Sequence, residues 1–304
     1  MKSGATRSLS SNKRQRGVAL LVVIWVMTLL AVLLVGFAGN ARTELLLARN
    51  HYESAGARAI ADAGVSLAIF GVLDSSPDSQ WHADGRPRAF AYGTGTIRVA
   101  VQDEAGKIDL NMAPPELLAG LLRTLGIANA DAAAMVQAIA DRRQTSVPNA
   151  GSRNRPALAR RSPDDAFRAI DELRLVPGMT HALFDRIAPF VTVYSGMADV
   201  DPLTAPPEVL RSLPGTNVAE IETFIAARER LGPAPGELPP LSGAGGFLAH
   251  RALQTATIIS EGKTSGGTTF TRQVVVSLSP DPGTPYAVLS WRQASRAPTT
   301  QPGE

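Results

Sequence analysis

An unbroken apolar run opens the chain: no aspartate, glutamate, lysine or arginine occurs between Val18 and Ala41. At ~1.5 Å per residue this stretch is long enough to cross a hydrocarbon layer of ~30 Å. The apolar pattern then changes period instead of stopping. Leu45, Ala48, Ala55, Ala59, Ala63, Leu67 and Phe70 recur at roughly helical spacing, and no proline occurs from Met1 to Ser76. The spacing predicts one helix from about Val18 to about Leu73, on the order of 80 Å long and half of it amphipathic. Beyond the polar stretch SSPDSQWHADGRPR the period becomes two. Ile97, Val99 and Val101 fall on one strand face, and Arg98, Ala100 and Gln102 on the other. Near the C-terminus ALQTATIISEG, TTFTRQVVVSLSP and PYAVLSWRQ, separated by GKTSGG and DPGT, predict an antiparallel meander.

Between these β segments, from about residue 113 to 246, the pattern is helical and is broken by a long polar loop (QTSVPNAGSRNRPALARRSPDD) and a proline and glycine linker (LGPAPGELPPLSGAGG). DLNMAPPELL from Asp109 recurs as DPLTAPPEVL from Asp201. In both, proline in the first turn and glutamate beside the positive helix end mark a helix start. Glycine turns at Gly126, Gly178 and Gly215 each precede another helix, and these units resemble helix-hairpin-helix motifs, which present backbone amides to phosphates. Asp131, Glu220 and Glu222 stand at the start of the following helices, where a phosphate binder needs neutral or basic groups, so helix packing accounts for the turns better than DNA contact. A membrane-anchored DNA-binding protein is the alternative reading.

The formal charge of +3 hides an uneven distribution. Lys2, Arg7, Lys13, Arg14 and Arg16 all precede the apolar run, and from Val18 onward 25 basic residues face 27 acidic ones. The basic surplus is therefore a targeting feature that places the N-terminus in the cytoplasm and the rest across the membrane, and it does not mark a nucleic-acid surface. The chain has no cysteine, so disulfide and thiolate chemistry are excluded. His51, His82, His181 and His250 are scattered, and HExxH, GxSxG, P-loop and dinucleotide motifs are missing, which argues against an enzyme. Asp103, Glu104 and Asp109 are candidate calcium ligands, as are Asp199 and Asp201. A turn formed by Asp103 and Glu104, with Asp109 capping a helix, explains the first three better, and Asp199 and Asp201 are read in the same way.

A basic leader ending in glycine before such a helix resembles the class III signal that prepilin peptidase cuts on the cytoplasmic side, here between Gly17 and Val18. Hydropathy alone supports an uncleaved signal anchor equally well. The fifth residue after the cut is Val22, where pilin-like chains usually carry glutamate. A carboxylate in the bilayer costs ~2.5–3.5 kcal/mol on insertion scales and is kept where a partner compensates it, so a subunit with no neighbour above it has no use for one.

With the leader, Val22, DEAGKIDLN, the Ala-Pro-Pro-Glu repeats and TVYSG at Thr192 to Gly196, the chain resembles the K-type minor pseudopilins of type II secretion systems. The resemblance implies a pilin-like α+β fold, with a long N-terminal helix packed on an antiparallel sheet and a large inserted all-helical, helix-hairpin-helix-like module. The corresponding division is a prepilin leader (1–17), the N-terminal helix (18–75), a pilin-like domain (76–112 and 247–292), the inserted module (113–246) and a disordered tail (293–304). It further implies a non-catalytic role at the tip of a periplasmic pseudopilus. Minor pseudopilins I and J would be the partners there, joined by H, the major pseudopilin G and prepilin peptidase, with no nucleic acid. An inner-membrane, single-pass location follows, with the C-terminal part periplasmic. No cofactor is required, although calcium occurs in some members. Mature pilins commonly begin with a phenylalanine that becomes N-methylated, whereas this chain would begin with Val18. Small residues at Ala19, Ala31, Gly36, Ala38 and Gly39 would allow close lateral approach of partner helices.

Overall fold

The computed structural model describes residues 15–74, 76, 81–144, 167–231, 238–279, 281 and 283–294, with the side chains of 15–17 and 36–42 excepted. The first fourteen residues of the leader, most of the long polar loop, part of the proline and glycine linker and nearly all of the tail therefore lie outside the described residues. Helix α1 spans Gln15–Leu73. Its segment Val18–Val35 has a mean hydropathy of 3.1 and buries none of its surface in the protein, as a single-pass membrane anchor requires. Val18, Ala19, Val22 and Ala31 all lie exposed on this segment. Gly17, Gly36, Ala38 and Gly39 fall within the helix where only the backbone is described.

The C-terminal part of α1 is the helix of a soluble core. Ala57, Ala61, Val65, Ala68, Ile69 and Val72 are buried. The stripe read from the sequence through Ala59, Ala63 and Phe70 is not the packed one, since Phe70 is 69% exposed. Small residues set the buried face by letting the helix lie close to the sheet. A Cβ on Gly64 would come within 2.2 Å of Ser260 Oγ.

That sheet has five antiparallel strands in the order β1-β2-β5-β6-β7. They are β1 (Arg88–Tyr92), β2 (Gly95–Asp103), β5 (Thr255–Lys263), β6 (Thr269–Leu278) and β7 (Tyr286–Gln293). Ile97, Val99 and Val101 of β2 join Ile258, Val274 and Val276 in the core under α1, and Ala100 on the opposite face is buried as well. Strand β1, whose residues RAFAY show little periodicity, was not legible in the sequence.

The helical segment is inserted between β2 and β5, which are neighbours in the sheet. It comprises β3 (Ile108–Asp109), α2 (Pro115–Thr124), α3 (Asn129–Gln144), α4 (His181–Ile187), β4 (Val191–Thr192), α5 (Pro207–Arg211) and α6 (Val218–Leu231). Helices α2 and α5 open as expected, with proline at their first positions and Glu116 and Glu208 in their first turns. One core runs through the whole segment, including Leu110, Leu117, Leu121, Leu173, Val191, Leu210 and Ile221, separate from the core under α1. This makes an α+β fold.

Candidate functional site

The acidic segment after β2 does not continue as strand. Asp103 caps a short 3₁₀ turn, Glu104 to Gly106, by accepting from the Ala105 amide at 2.8 Å, and the turn brings Glu104 inward. Glu104 is fully buried. Its Oε1 meets Lys107 Nζ at 2.5 Å and accepts from Thr257 Oγ1 of β5 at 2.6 Å, while its Oε2 accepts from Thr192 Oγ1 of β4. A buried charge is tolerable only when paired and hydrogen-bonded, and here one carboxylate satisfies three donors. The group ties the sheet, through β5, to the inserted segment, through β4. Gly106 is required beside it, because a Cβ there would come within 2.6 Å of the Thr204 backbone.

The repeated Asp-x-x-x-Ala-Pro-Pro-Glu pattern proves to be a repeated lock. Asp109, 1% exposed, accepts at Oδ1 from the amides of Asn111 (2.8 Å) and Met112 (3.1 Å). Its Oδ2 accepts from Ser195 Oγ (2.9 Å) and the Gly196 amide (2.8 Å). Asp201, 2% exposed, accepts at Oδ1 from the Leu203 amide (2.9 Å) and at Oδ2 from the Arg251 amide (3.1 Å), with His250 Nδ1 at 3.3 Å. Each aspartate thus turns its own chain into a helix and pins a distant segment alongside. The pinned segments run parallel to the aspartate strand in both cases: β3 pairs with β4, and Val200 bridges Leu248.

A long cation closes each lock from the second helix of the unit. Arg143 of α3 donates from Nε to the Leu110 carbonyl (2.6 Å) and from Nη1 to that of Ala113 (2.8 Å). Arg228 of α6 donates to the equivalent carbonyls of Pro202 and Ala205, both at 2.7 Å. Burial lowers the pKa of Arg228 from its usual value, in keeping with a guanidinium withdrawn from water to satisfy carbonyls.

Gly126, Gly178 and Gly215 all adopt positive φ, the left-handed conformation that ends a helix most easily at glycine. A fourth such turn, Gly243 at φ +89°, was missed. ELRLVPG ending at Gly178 and ELPPLSG ending at Gly243 carried the signal. Around the turns the helix starts are already served: Thr180 Oγ1 accepts from the Leu183 amide, and Asn217 Oδ1 from the Ala219 amide. Glu222 binds Arg211 through Oε1 at 2.7 Å, which lowers its pKa. These contacts are helix caps and a packing contact between two helices.

The candidate calcium ligands are engaged with protein donors to different extents. Both oxygens of Glu104 and both of Asp109 already accept from N–H or O–H donors. Among the described residues no group of three or more His, Asp or Glu is placed to hold a metal. Asp199 lies with Oδ2 3.8 Å from Arg251 Nη2, and Asp201 serves the second lock. Asp103 is buried, at 3% exposure. Burial pushes its carboxyl up to about 7, the Ala105 N–H opposes this, the charges of Asp201 and Glu104 add to it, and Lys107 offsets part. It borders a small recess with Ser195, Met197, Arg251, Gln254 and Thr255. Thr257, Arg143 and Arg228 were not singled out in the sequence, because their partners lie between 23 and 153 positions away, and Lys107, three positions from Glu104, carried no signal of its own.

An apolar N-terminal helix long enough to cross a membrane, a five-stranded antiparallel sheet and a helical segment inserted between two adjacent strands define the class, an α+β protein with a candidate membrane span. Residues 99–196, which carry Glu104, Lys107, Asp109, Thr192 and Gly196, match the model of the family described as type II secretion system (T2SS), protein K. Over those residues the chain is similar to that family. No curated protein sequence matches it. In fold it is similar to a chain of the crystal structure of the GspK-GspI-GspJ complex from the enterotoxigenic Escherichia coli type 2 secretion system, with a TM-score of 0.51 at 16% identity, covering 84% of this chain and 100% of that one.

Proposed function

We propose that the chain forms the tip of the type II secretion pseudopilus together with minor pseudopilins I and J, initiating the fibre and capping it. The observation that carries this reading is the helical module built into the sheet between β2 and β5 and fastened there by Glu104 and the two aspartate locks. A fixed mass of that kind blocks the addition of another subunit above it. The apolar Val22 agrees, since a chain with no subunit above it has no amine to neutralise with a carboxylate. In this reading prepilin peptidase removes residues 1–17 in the inner membrane. The anchor then associates laterally with partner helices, and the H and major G subunits add below. The similar solved chain comes from a complex of GspK with GspI and GspJ, which supports the choice of partners.

Mass spectrometry of the membrane-extracted chain, with and without prepilin peptidase, should show a peptidase-dependent N-terminus at Val18. Removing residues 113–246 in cells should leave membrane insertion intact and abolish secretion; undiminished secretion would remove the capping role.

A further inference from the structure

The sheet face that packs under α1 extends further than α1 does. At the far edge β7 presents Tyr286, Val288 and Trp291, which are 42, 46 and 48% exposed. Their cross-strand partners are Leu278, Val276 and Val274, two of which lie in the core under α1. Directly opposed residues of an antiparallel pair point to the same face, so the three apolar side chains belong to the helix-bearing side. Val288 and Trp291 are three positions apart and would ordinarily point to opposite faces. The bulge opposite Val275 and Val276 inserts one residue between them and restores Trp291 to the shared face. The other side of the strand is engaged with the inserted segment, where Arg292 Nη1 donates to Asp171 Oδ2 at 2.9 Å.

The dimensions fit one more helix. Gly64 of α1 lies against Ser260 of β5 and Ile97 of β2, which places α1 over those strands. Strands repeat every ~4.8 Å and packed helices lie 8–10 Å apart, so a second helix beside α1 falls over β6 and β7. The trough between the two positions is cationic and aromatic. Arg272 binds Asp62 of α1 at 2.7 Å, with its guanidinium 5.2 Å from the Trp291 ring centroid. Arg58 of α1 lies 5.1 Å from the Phe270 ring centroid and pairs with no carboxylate among the described residues.

We propose that this shelf receives an amphipathic α-helix from a second pilin-like chain, laid beside α1 with its apolar stripe on Tyr286, Val288 and Trp291 and an acidic residue facing Arg58. The charge pattern and the continuity with the protein's own helix-on-sheet interface select this occupant over a β-strand added to the edge, where a hydrophobic strand left bare invites aggregation. The inference rests on the reading that the chain assembles with minor pseudopilins I and J, and it assigns the surface.

The test uses the full chain with the photoreactive benzoylphenylalanine in place of Tyr286, coexpressed with minor pseudopilins I and J. Irradiation should join it to a helical peptide of a partner. Trp291→Glu should lower the yield at least about tenfold, as expected for an aromatic anchor. Ala287→Glu, exposed and opposite Ser277 on the other face of β7, should leave the yield unchanged. If the complex forms without a crosslink, if the crosslink maps to a strand or to a second copy of this chain, or if Ala287→Glu is equally damaging, the shelf is overturned. Failure of the unmodified chain to associate with I and J at all would remove the assembly reading with it.

Discussion

The unit begun by Asp109 and the unit begun by Asp201 are two versions of one device, and their differences show what holds the inserted segment in place. Both have a buried aspartate, an Ala-Pro-Pro-Glu helix, left-handed glycine turns and an arginine returning to the carbonyls of the aspartate turn. The first unit has a two-residue parallel pair and a complete helix α4 after its second glycine. The second has a single bridge and, among the described residues, no such helix. Among the described residues only the first is joined to the sheet by a buried charge, through Thr192 and Glu104. The second leans on neutral contacts, with Gln102 Nε2 donating to the Thr204 carbonyl at 2.7 Å and the Asp201 amide to that of Ala105 at 2.8 Å. The same local lock therefore serves a strongly anchored unit and a weakly anchored one.

The largest effect should come from removing the anchor that only the first unit has. Glu104→Ala leaves the Lys107 ammonium, 7% exposed, without its carboxylate, and should cost ~3–5 kcal/mol in chemical denaturation. Glu104→Gln with Lys107→Met, which removes both charges together, should cost less than half as much; an equal loss would mean that the charge pair is not the source.

Next in size is the contrast between the locks themselves. Asp109→Ala deprives four donors of their acceptor and should cost ~2–4 kcal/mol. Asp201→Ala affects the Leu203 and Arg251 amides and His250, and should cost ~1–2 kcal/mol. Hydrogen exchange checks locality: the Gly196 amide should speed up only in the first variant and the Arg251 amide only in the second.

The smallest effect concerns Asp103, which lies between the units. Its carboxyl titrates near 7 when folded, against an ordinary 3.8, so the folded chain holds the extra proton between those values. Its contribution to stability therefore declines as pH rises from about 4 to about 7 and stays at the lower level above. Asp103→Asn keeps an acceptor for the Ala105 amide and removes the buried charge. Melting temperature should rise by about 2–4 °C at pH 8 and lose its downward slope across that window. A variant that melts lower at pH 8 than the parent would show that the carboxylate is favourable where it is.

Much of this architecture was legible. The anchor, the strand face of Ile97, Val99 and Val101, the C-terminal meander and the duplicated helix start all rest on local periodicity or turn chemistry, and the structure places elements there. The buried stripe of α1 was misread through Phe70 because apolarity was followed where small size governed. The helix packs through Ala57, Ala61 and Gly64, and a bulkier side chain there would collide with the sheet. At the seam, DEAGKIDLN and TVYSG stood out as segments, but the acids within them were open to a calcium reading. Carboxylates that bind a cation and carboxylates that collect amides and hydroxyls have the same local appearance.

The sequence by itself determined the elements and their repetition, because helix periodicity, proline at a first turn and glycine at a left-handed turn are enforced by residues within a few positions of one another. Which donors meet Glu104, why Asp109 has four and Asp201 fewer, and why a bulge turns Trp291 toward the face of Val288 were decided only by the tertiary structure. A buried charge is defined by what surrounds it, and those surroundings come from strands and helices far apart in the chain.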